Sequence, residues 1–337
     1  MKQFTLLYSI FILIFFASSI IYSQETPELK VKVNGTVQAW ASYAQTNTDT
    51  NQVGFGLRRV RARFASTFGK HLKTFIQAEL TSPKLLDARI EYIFTKAFQI
   101  RVGRFIGAGV RSGGLTSHTV LDIVERPFTA QQWGRETVGA DYRDYGLAFL
   151  GTKNGFGYNL TLHNGNGKLN LKPSQRTTAS VQTSGVAVSG MLFYKPKSVK
   201  GLEVGGYYGT GNKYQNDYTS FNGYIYFEPK PLRLKAEYIS WTDKNGNADK
   251  TSAGFYGFAG YRVKSNIELV ARYEQFDPNT NLTNDEQSLI TIGATYSFYP
   301  AKWKTAKITA AYVIHNEASN APTIDNNVFY VMGQYVF

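Results

Sequence analysis

The sequence of 337 residues contains no cysteine. This absence excludes a disulfide framework, a thiolate metal site and a cysteine nucleophile. It also suits an exported protein, which must pass an oxidising compartment without forming disulfides. The four histidines, His71, His118, His163 and His315, have no metal-ligand spacing, and Ser117–His118 is the only adjacency of serine and histidine. No glycine-rich loop follows a strand and opens a helix. We therefore predict no metal, no cofactor and no catalytic residue.

Long apolar runs are also missing, with one exception at the N-terminus. Lys2 is followed by an apolar stretch from Phe4 to Tyr22. A positive start before such a stretch predicts a targeting segment, 1–23, that is cleaved before Gln24. The alternative is a transmembrane anchor, because the run just reaches the roughly 20 apolar residues that a spanning helix needs.

Acidic residues are fewer than basic ones. The formal net charge is +13, with 37 Lys and Arg against 24 Asp and Glu, and it becomes +12 when Lys2 leaves with the leader. A basic balance indicates an anionic partner. An exported chain rarely meets nucleic acid, so we expect anionic solutes or membrane lipid as partners, and no nucleic acid.

Alternation of apolar and polar residues dominates the rest of the chain. The 23 Tyr, 23 Phe and 31 Gly favour an all-β fold, and we find no amphipathic helix and no domain boundary after the leader. Residues 24–337 are therefore read as one domain. Period-two alternation predicts sixteen strands, at 29–44, 52–66, 69–81, 84–95, 97–105, 145–152, 156–163, 182–194, 201–210, 218–228, 231–241, 252–263, 266–276, 287–299, 305–316 and 326–337.

The connections between these strands alternate between short turns and long polar loops. Short turns on one rim and long loops on the other are typical of transmembrane β-barrels of the outer membrane. An even number of strands places both termini at the short-turn rim. A soluble β-sandwich would also alternate, but it would not sort its connections by length. Ten lysines belong to the short turns and not to the pore: Lys70, Lys96, Lys153, Lys195, Lys197, Lys200, Lys230, Lys264, Lys302 and Lys304.

The second predicted strand carries Arg58, Arg59, Arg61 and Arg63. Successive side chains of a strand point to opposite faces. Arg59, Arg61 and Arg63 should therefore share one face, and Val60, Ala62 and Phe64 the other. A strand that is cationic on one side and apolar on the other fits the wall of a water-filled barrel, and it indicates a channel for anions. The alternative is that these arginines stabilise the wall by pairing with Glu79, Asp87 or Glu91.

One connection, 106–144, is far longer than the others, at about forty residues. It contains glycines for tight bends and apolar side chains such as Phe128 and Trp133 that a free loop would not expose. We predict that this segment folds into the barrel and narrows it. The final strand ends on Phe337, with Phe329, Val331 and Tyr335 on the same face, which resembles the recognition signal of outer-membrane barrels.

Five short stretches of the first half resemble the phosphate-selective porin O and P family. They are Phe55-Gly56-Leu57-Arg58-Arg59-Val60-Arg61, Ile100-Arg101-Val102-Gly103-Arg104-Phe105, Leu115-Thr116-Ser117, Ile123-Val124-Glu125-Arg126-Pro127 and Arg143-Asp144-Tyr145-Gly146-Leu147. The second half matches only in its alternation. The resemblance implies a sixteen-stranded, homotrimeric outer-membrane porin, with Arg59, Arg61 and Arg63 as an arginine ladder and 106–144 as the constriction loop.

The chain departs from this family at the constriction. Phosphate-selective members place lysines there, whereas 106–144 contains none and has four arginines against five carboxylates. The departure weighs against phosphate specificity and leaves the porin architecture unaffected. The candidate pore-lining, anion-binding residues are Arg59, Arg61, Arg63, Arg101, Arg111, Arg126, Arg135 and Arg143.

Our interpretation is an outer-membrane porin for passive diffusion of small solutes, with a preference for anions, phosphate or other oxyanions among them. Two alternatives remain at this stage. One is a receptor or adhesin that uses the long loops as a binding surface. The other is a hydrolase built on a barrel wall, which would need fewer strands and a Ser–His pair facing lipid or a loop, and we find neither in the sequence.

Overall fold

The computed structural model describes residues 28–46, 51–165, 186–213, 216–245, 248–321 and 326–337. In this part of the chain, sixteen strands form a closed antiparallel barrel in which each strand pairs with its neighbours in sequence and β1 pairs with β16. The prediction of an all-β barrel of about sixteen strands is confirmed. The predicted leader, 1–23, lies outside the described residues and stays a prediction.

The strands vary from eight to seventeen residues, so the barrel wall is uneven in height. Their bounds are β1 Leu29–Ala44, β2 Gln52–Phe68, β3 Leu72–Glu79, β4 Lys84–Thr95, β5 Phe98–Phe105, β6 Asp144–Lys153, β7 Phe156–His163, β8 Ala187–Tyr194, β9 Leu202–Lys213, β10 Asn216–Phe227, β11 Leu232–Asn245, β12 Ala248–Lys264, β13 Ile267–Asp277, β14 Gln287–Ser297, β15 Ala306–Glu317 and β16 Val328–Val336.

The predicted strands and the observed strands agree in number and order, and the differences are at the ends. The third strand was predicted over 69–81 and covers Leu72–Glu79. The eighth was predicted over 182–194 and covers Ala187–Tyr194, while 182–185 lie outside the described residues. The geometry of the turns sets where each strand ends, and the alternation of apolar and polar residues carries no information about that geometry.

The outer face of the barrel is apolar, as alternation predicts. On β14, Ile290, Ile292 and Tyr296 are exposed, while Thr291 and Thr295 between them are buried. Phe298, just after β14, is exposed as well. Side chains that alternate in this way place one face toward lipid and the other toward the lumen.

The barrel closes between the first and the last strand. The amide and carbonyl of Gly35 exchange hydrogen bonds of 2.8 and 3.1 Å with the carbonyl and amide of Phe337. A Cβ at Gly35 would lie 2.5 Å from Cζ of the Phe337 ring, so a larger residue at this position would displace the ring. The terminal aromatic residue, predicted to be a barrel signal, thus completes the seam.

The segment between β5 and β6, 106–143, lies inside the barrel. It contains a 3₁₀ turn at His118–Val120 and an α-helix, α1, at Phe128–Glu136. The sequence shows no amphipathic helix after the leader, and this short helix was not predicted. The helix has only nine residues, contains Gly134, and begins where the Phe128 amide donates to the Glu274 carboxylate of β13, a partner that sequence spacing does not reveal.

A cluster of buried apolar residues is packed between this segment and the inner face of the barrel wall. Trp133 is almost fully buried, and its ring meets that of Tyr207 edge to face at 5.7 Å. Phe128 contacts Phe276 in the same way at 5.5 Å. Both aromatic side chains thus pack against protein, as their apolar character suggested. Among the helices of the described residues, none is long and apolar enough to cross a bilayer.

Replacing Ile292 by arginine tests the assignment of the outer face. Ile292 lies in the middle of β14 and is 54% exposed. A charge at mid-membrane costs roughly 2–4 kcal/mol, so Ile292→Arg should lower the free energy of unfolding in lipid vesicles by that amount, measured by denaturant titration. Ile292→Phe, the control, should leave it nearly unchanged. Equal stability of both variants would contradict the lipid-facing assignment.

Candidate functional site

A β-bulge on β2 places all four arginines of the ladder toward the lumen. The register with β1 pairs Gln38 with Arg59 and Ala39 with Leu57, which leaves Arg58 as the extra residue. A bulge lets two successive side chains share a face. Arg58 and Arg59 therefore both point inward, while Leu57 and Phe64 are exposed outside.

Two of the ladder arginines are held by a carboxylate of the infolded segment. Glu125 accepts hydrogen bonds from both Nε and Nη2 of Arg58, the latter at 2.9 Å, and from Nη2 of Arg59 at 3.3 Å. Burial raises the pKa of Glu125, but the Arg58 hydrogen bond and the Arg59 charge outweigh burial and lower it. Arg59 is fixed further by Gln38, at 2.9 Å. Glu125 therefore stays ionised and holds Arg58 and Arg59 in place.

The other two arginines of the ladder, Arg61 and Arg63, form hydrogen bonds with the barrel wall and with a histidine. Arg61 donates to Glu79 of β3 at 2.8 Å, and Arg63 donates to Gln77 at 2.8 Å. Arg61 Nη1 lies 3.0 Å from Nδ1 of His118, and Arg63 Nη2 lies 2.9 Å from its Nε2. A guanidinium can only donate, and a neutral imidazole has a single acceptor nitrogen. Only one of the two arginines can therefore donate to the His118 ring at a time.

His118 must remain uncharged in this position. It is buried, and burial together with the charges of Arg61, Arg63, Arg59 and, more weakly, Arg126 lowers the pKa of its ring far below the usual range. The histidine is thus a neutral spacer between two cations, not a further positive charge.

A second row of charges lies on β4. Asp87 accepts from Nε of Arg143 at 2.8 Å and from Nη1 of Arg89 at 3.4 Å. Glu91 pairs with Arg89 at 2.5 Å and with Arg101 at 3.3 Å. Of the three carboxylates proposed as ladder partners, only Glu79 is bonded to a ladder arginine.

The ladder borders a cavity of ≈ 600 Å³ between β2–β4 and the infolded segment. Nine cationic and four anionic side chains line it, so its lining is net positive with His118 neutral. The cations are Arg58, Arg59, Arg61, Arg63, Lys84, Arg89, Arg126, Arg135 and Arg143, and the anions are Glu79, Asp87, Glu125 and Asp141.

The infolded segment is fastened to the wall opposite the ladder. Glu237 of β11 accepts from the backbone amides of Arg111 at 2.7 Å and Ser112 at 2.9 Å. Trp133 Nε1 donates to Ser220 of β10 at 2.6 Å. These bonds hold the segment against β10 and β11, and the ≈ 600 Å³ cavity lies on its other side, along the arginines.

The tip of the segment is fixed by an ion cluster. Asp122 accepts from Nζ of Lys235 at 2.8 Å and also bonds to Arg233, which pairs in turn with Glu268 at 3.0 Å. Burial would raise the pKa of Asp122, but Lys235 and Arg233 lower it to about 2. The carboxylate therefore keeps its charge and its bonds at any physiological pH.

Six of the eight predicted pore-lining arginines line the same cavity: Arg59, Arg61, Arg63, Arg126, Arg135 and Arg143. Arg126 is buried over the Tyr142 ring, at 5.3 Å from its centroid. The structure places two others elsewhere. Arg101 lies beside Glu91 and over Phe105, and Arg111 pairs with Glu203 at 2.9 Å on the opposite wall.

Sequence reasoning missed four groups of this site. Arg58 was left out of the pore-lining set because the bulge that turns it inward has no sequence signature. Arg89 could have been found, since it alternates with Asp87 and Glu91 on one strand. Lys84 was missed because it lies at the first position of β4. His118 is part of the site because the 3₁₀ turn places its ring beside the arginines of β2. Within the described residues, no three His, Cys, Asp or Glu side chains gather as a metal site.

A Ser–His–Asp arrangement does occur, away from the cavity. His163 of β7 donates from Nδ1 to Asp144 at 2.7 Å, and its Nε2 accepts from the Ser189 hydroxyl at 2.7 Å. Ser189 is completely buried, and the void beside His163 is only ≈ 20 Å³, enough for a water molecule and no more. A substrate carbonyl cannot reach Ser189 Oγ in this packing.

The described geometry has relatives among solved structures. The anion-selective porin from Comamonas acidovorans superimposes with a TM-score of 0.72 at 14% identity, covering 92% of this chain and all of that one. OmpF of Salmonella typhi, solved with daunomycin, gives 0.64 at 15% identity, covering 91% of this chain and 98% of its own. The outer membrane channel DcaP of Acinetobacter baumannii gives 0.63 at 13% identity, covering 94% and 99%. At these identities the likeness establishes the fold.

The comparison with protein families settles the class of the chain. Curated protein sequences give no match. The model of the Gram-negative porin family, however, matches residues 10–337, nearly the whole chain. This is consistent with the resemblance to the O and P porins and confirms the prediction of an outer-membrane diffusion channel. The chain belongs to the Gram-negative porin family.

Proposed function

We propose that this porin prefers anions, and that they pass through the cavity beside Arg58, Arg59, Arg61 and Arg63. The observation that carries the proposal is the excess of nine cations over four carboxylates around one opening. Fixed charges of one sign in a cleft with low-dielectric walls raise the local concentration of counter-ions. The proposed partners are small anionic solutes and membrane lipid.

The carboxylates beside the ladder reduce this positive field without cancelling it. Arg61 shares its charge with Glu79, and Arg58 and Arg59 share Glu125. Arg63 differs, because its hydrogen bonds go to the neutral groups Gln77 and His118. Guanidinium groups remain charged and offer forked donors to oxyanions. We assign Arg63 the strongest contact with a passing anion.

We propose further that 106–143 is the constriction loop and that the barrel forms a homotrimer. Burial of Trp133 and the bonds to Glu237 and Asp122 support the first point. The second rests on the family and on the solved trimer of OmpT from Vibrio cholerae, which is 11% identical to this chain.

The hydrolase alternative has one observation in its favour, the Ser189–His163–Asp144 arrangement. We assign this group a structural role. Asp144 Oδ2 also accepts from the amide of Gly165 at 2.6 Å, so the three side chains tie the start of β6 to the end of β7 and the start of β8. A receptor would use the long loops, of which 166–185 lie outside the described residues.

Three single substitutions test the anion preference. Arg63→Gln removes a charge without leaving a carboxylate unpaired, and it should lower the anion-to-cation permeability ratio by about threefold or more. Glu79→Gln should raise the ratio, since it frees the charge of Arg61. Arg101→Gln is the control, because Arg101 lies off the cavity lining.

The ratio is measured from the reversal potential of the reconstituted channel in a salt gradient. The triple variant of Arg59, Arg61 and Arg63 with glutamine should give the largest decrease. An equal decrease for Arg63→Gln and Arg101→Gln would mean that only total charge matters. An unchanged ratio in the triple variant, with an intact barrel, would make the ladder structural.

His118 generates a prediction about acid pH. Its folded-state pKa lies below the roughly 6.5 of an unfolded chain, so its neutral form stabilises the fold above that pH, and the contribution is lost as the pH falls. Between pH 7 and pH 5, the loss should reach roughly 2 kcal/mol of unfolding free energy. His118→Gln keeps an acceptor for Arg61 and cannot gain a proton, so denaturant titrations should show a flatter pH dependence. Identical pH dependence in both proteins would contradict the placement of His118 between the two arginines.

A further inference from the structure

Lysine occurs at every short connection of the barrel. The seven short connections, between β2 and β3, β4 and β5, and so on to β14 and β15, are all fully described. Each contains a lysine or directly follows one, and the ten lysines involved are exposed. The only carboxylate in these connections is Glu228, which is occupied by Arg233 at 2.8 Å and Lys235 at 3.1 Å. Of the ten lysines, Lys195 pairs with Glu203 of β9 at 3.0 Å. We call this set the lysine collar: Lys70, Lys96, Lys153, Lys195, Lys197, Lys200, Lys230, Lys264, Lys302 and Lys304.

A band of aromatic rings lies next to the collar. Around Lys96, the rings of Tyr92, Phe94 and Phe98 follow one another at 4.7 and 5.2 Å, and Phe98 stacks on Phe149 at 6.3 Å. Phe94 and Phe98 are exposed on the outer face.

The same arrangement recurs at other turns. Next to Lys153 and Lys195, Phe156 stacks on Tyr194 at 4.2 Å. Near Lys302, Tyr296 and Phe298 meet edge to face at 5.2 Å. Aromatic belts of this kind mark the depth at which lipid headgroups begin.

We propose that the lysine collar binds the phosphate groups of anionic phospholipids in the leaflet that surrounds the short-turn rim. The aromatic band fixes the depth of the rim, and a lysine just beyond it reaches the headgroup layer with its flexible stem. Clustered lysines beside a membrane attract anionic lipid.

The collar is separate from the ion path. Lys84 is the only lysine among the residues that line the ≈ 600 Å³ cavity, and it is not part of the collar. Passing solutes therefore account for the ladder and not for the collar. At separate turns the aromatic rings place the neighbouring lysines at headgroup depth, within reach of lipid phosphates.

The test uses the full-length porin in neutral detergent micelles that contain equal amounts of phosphatidylglycerol and phosphatidylcholine. The bound lipids are counted by native mass spectrometry. The wild type should retain phosphatidylglycerol in about threefold excess or more. The variant with Lys96, Lys153, Lys197, Lys230 and Lys264 changed to glutamine should bring the ratio close to one.

Two further variants act as controls. The same five lysines changed to arginine keep the charge and should keep the excess. Lys244→Gln with Lys250→Gln, on the long-loop rim, should leave the excess unchanged. Single-channel conductance equal to that of the wild type shows that a variant is folded. If the fivefold glutamine variant does not fold, the single variants Lys96→Gln and Lys153→Gln, each expected to lower the excess, take its place.

Several outcomes would overturn the proposal. Equal retention of the two lipids by the wild type is one, and an unchanged excess in the glutamine variant is another. Displacement of phosphatidylglycerol by glycerol 3-phosphate at equal concentration would mean that the collar binds a free anion. Collar-dependent binding to purified peptidoglycan, with equal lipid retention, would assign the collar to a wall polymer.

Discussion

The attachment of the infolded segment to one side of the barrel is the interaction on which the site depends. Asp122 of the segment is held by Lys235 and Arg233 of the wall, and Glu237 of the wall receives the amides of Arg111 and Ser112. Charges and amides taken out of water must find partners, because an unpaired one costs several kcal/mol. Each of these groups has found its partner across the same interface. The segment is therefore fixed on the β9–β13 side, and the ≈ 600 Å³ cavity lies on the β2–β4 side.

The position of the segment determines how much of the open lumen the arginines of β2 border. In an open barrel of this width, four arginines on one strand would act on a small part of the lumen. Because the segment occupies the other part, the same arginines border the ≈ 600 Å³ opening together with Arg126, Arg135 and Arg143. Glu125 and His118 belong to the segment and touch the ladder directly, at 2.9 Å from Arg58 and 3.0 Å from Arg61. The segment therefore sets both the size of the opening and the charge of its border.

The alternation of apolar and polar residues predicted the barrel fold but did not predict the positions of all the site residues. Alternation over residues such as Ile290 to Phe298 depends on one strand and its two faces, so it could be recognised without knowing any neighbour. The inward position of Arg58 depends on a bulge opposite Gln38, and the start of α1 depends on Glu274 of a distant strand. Arg101 and Arg111 were placed in the predicted set without knowledge of their partners in space. Their separation from the cavity follows from Glu91 and Glu203, which are their partners in space and not in sequence.

The central claim is that ions pass on the ladder side, in a field made positive by the arginines. The absence of cysteine makes a direct measurement possible, because a single introduced cysteine reports alone. Ser117 is exposed and lines the cavity. With Ser117→Cys in a planar bilayer, anionic and cationic methanethiosulfonate reagents of equal size are compared by the rate at which each reduces the current. The account predicts that both reduce it and that the anionic reagent reacts faster, by about tenfold at low salt. Faster reaction of the cationic reagent, or modification without loss of current, would contradict it.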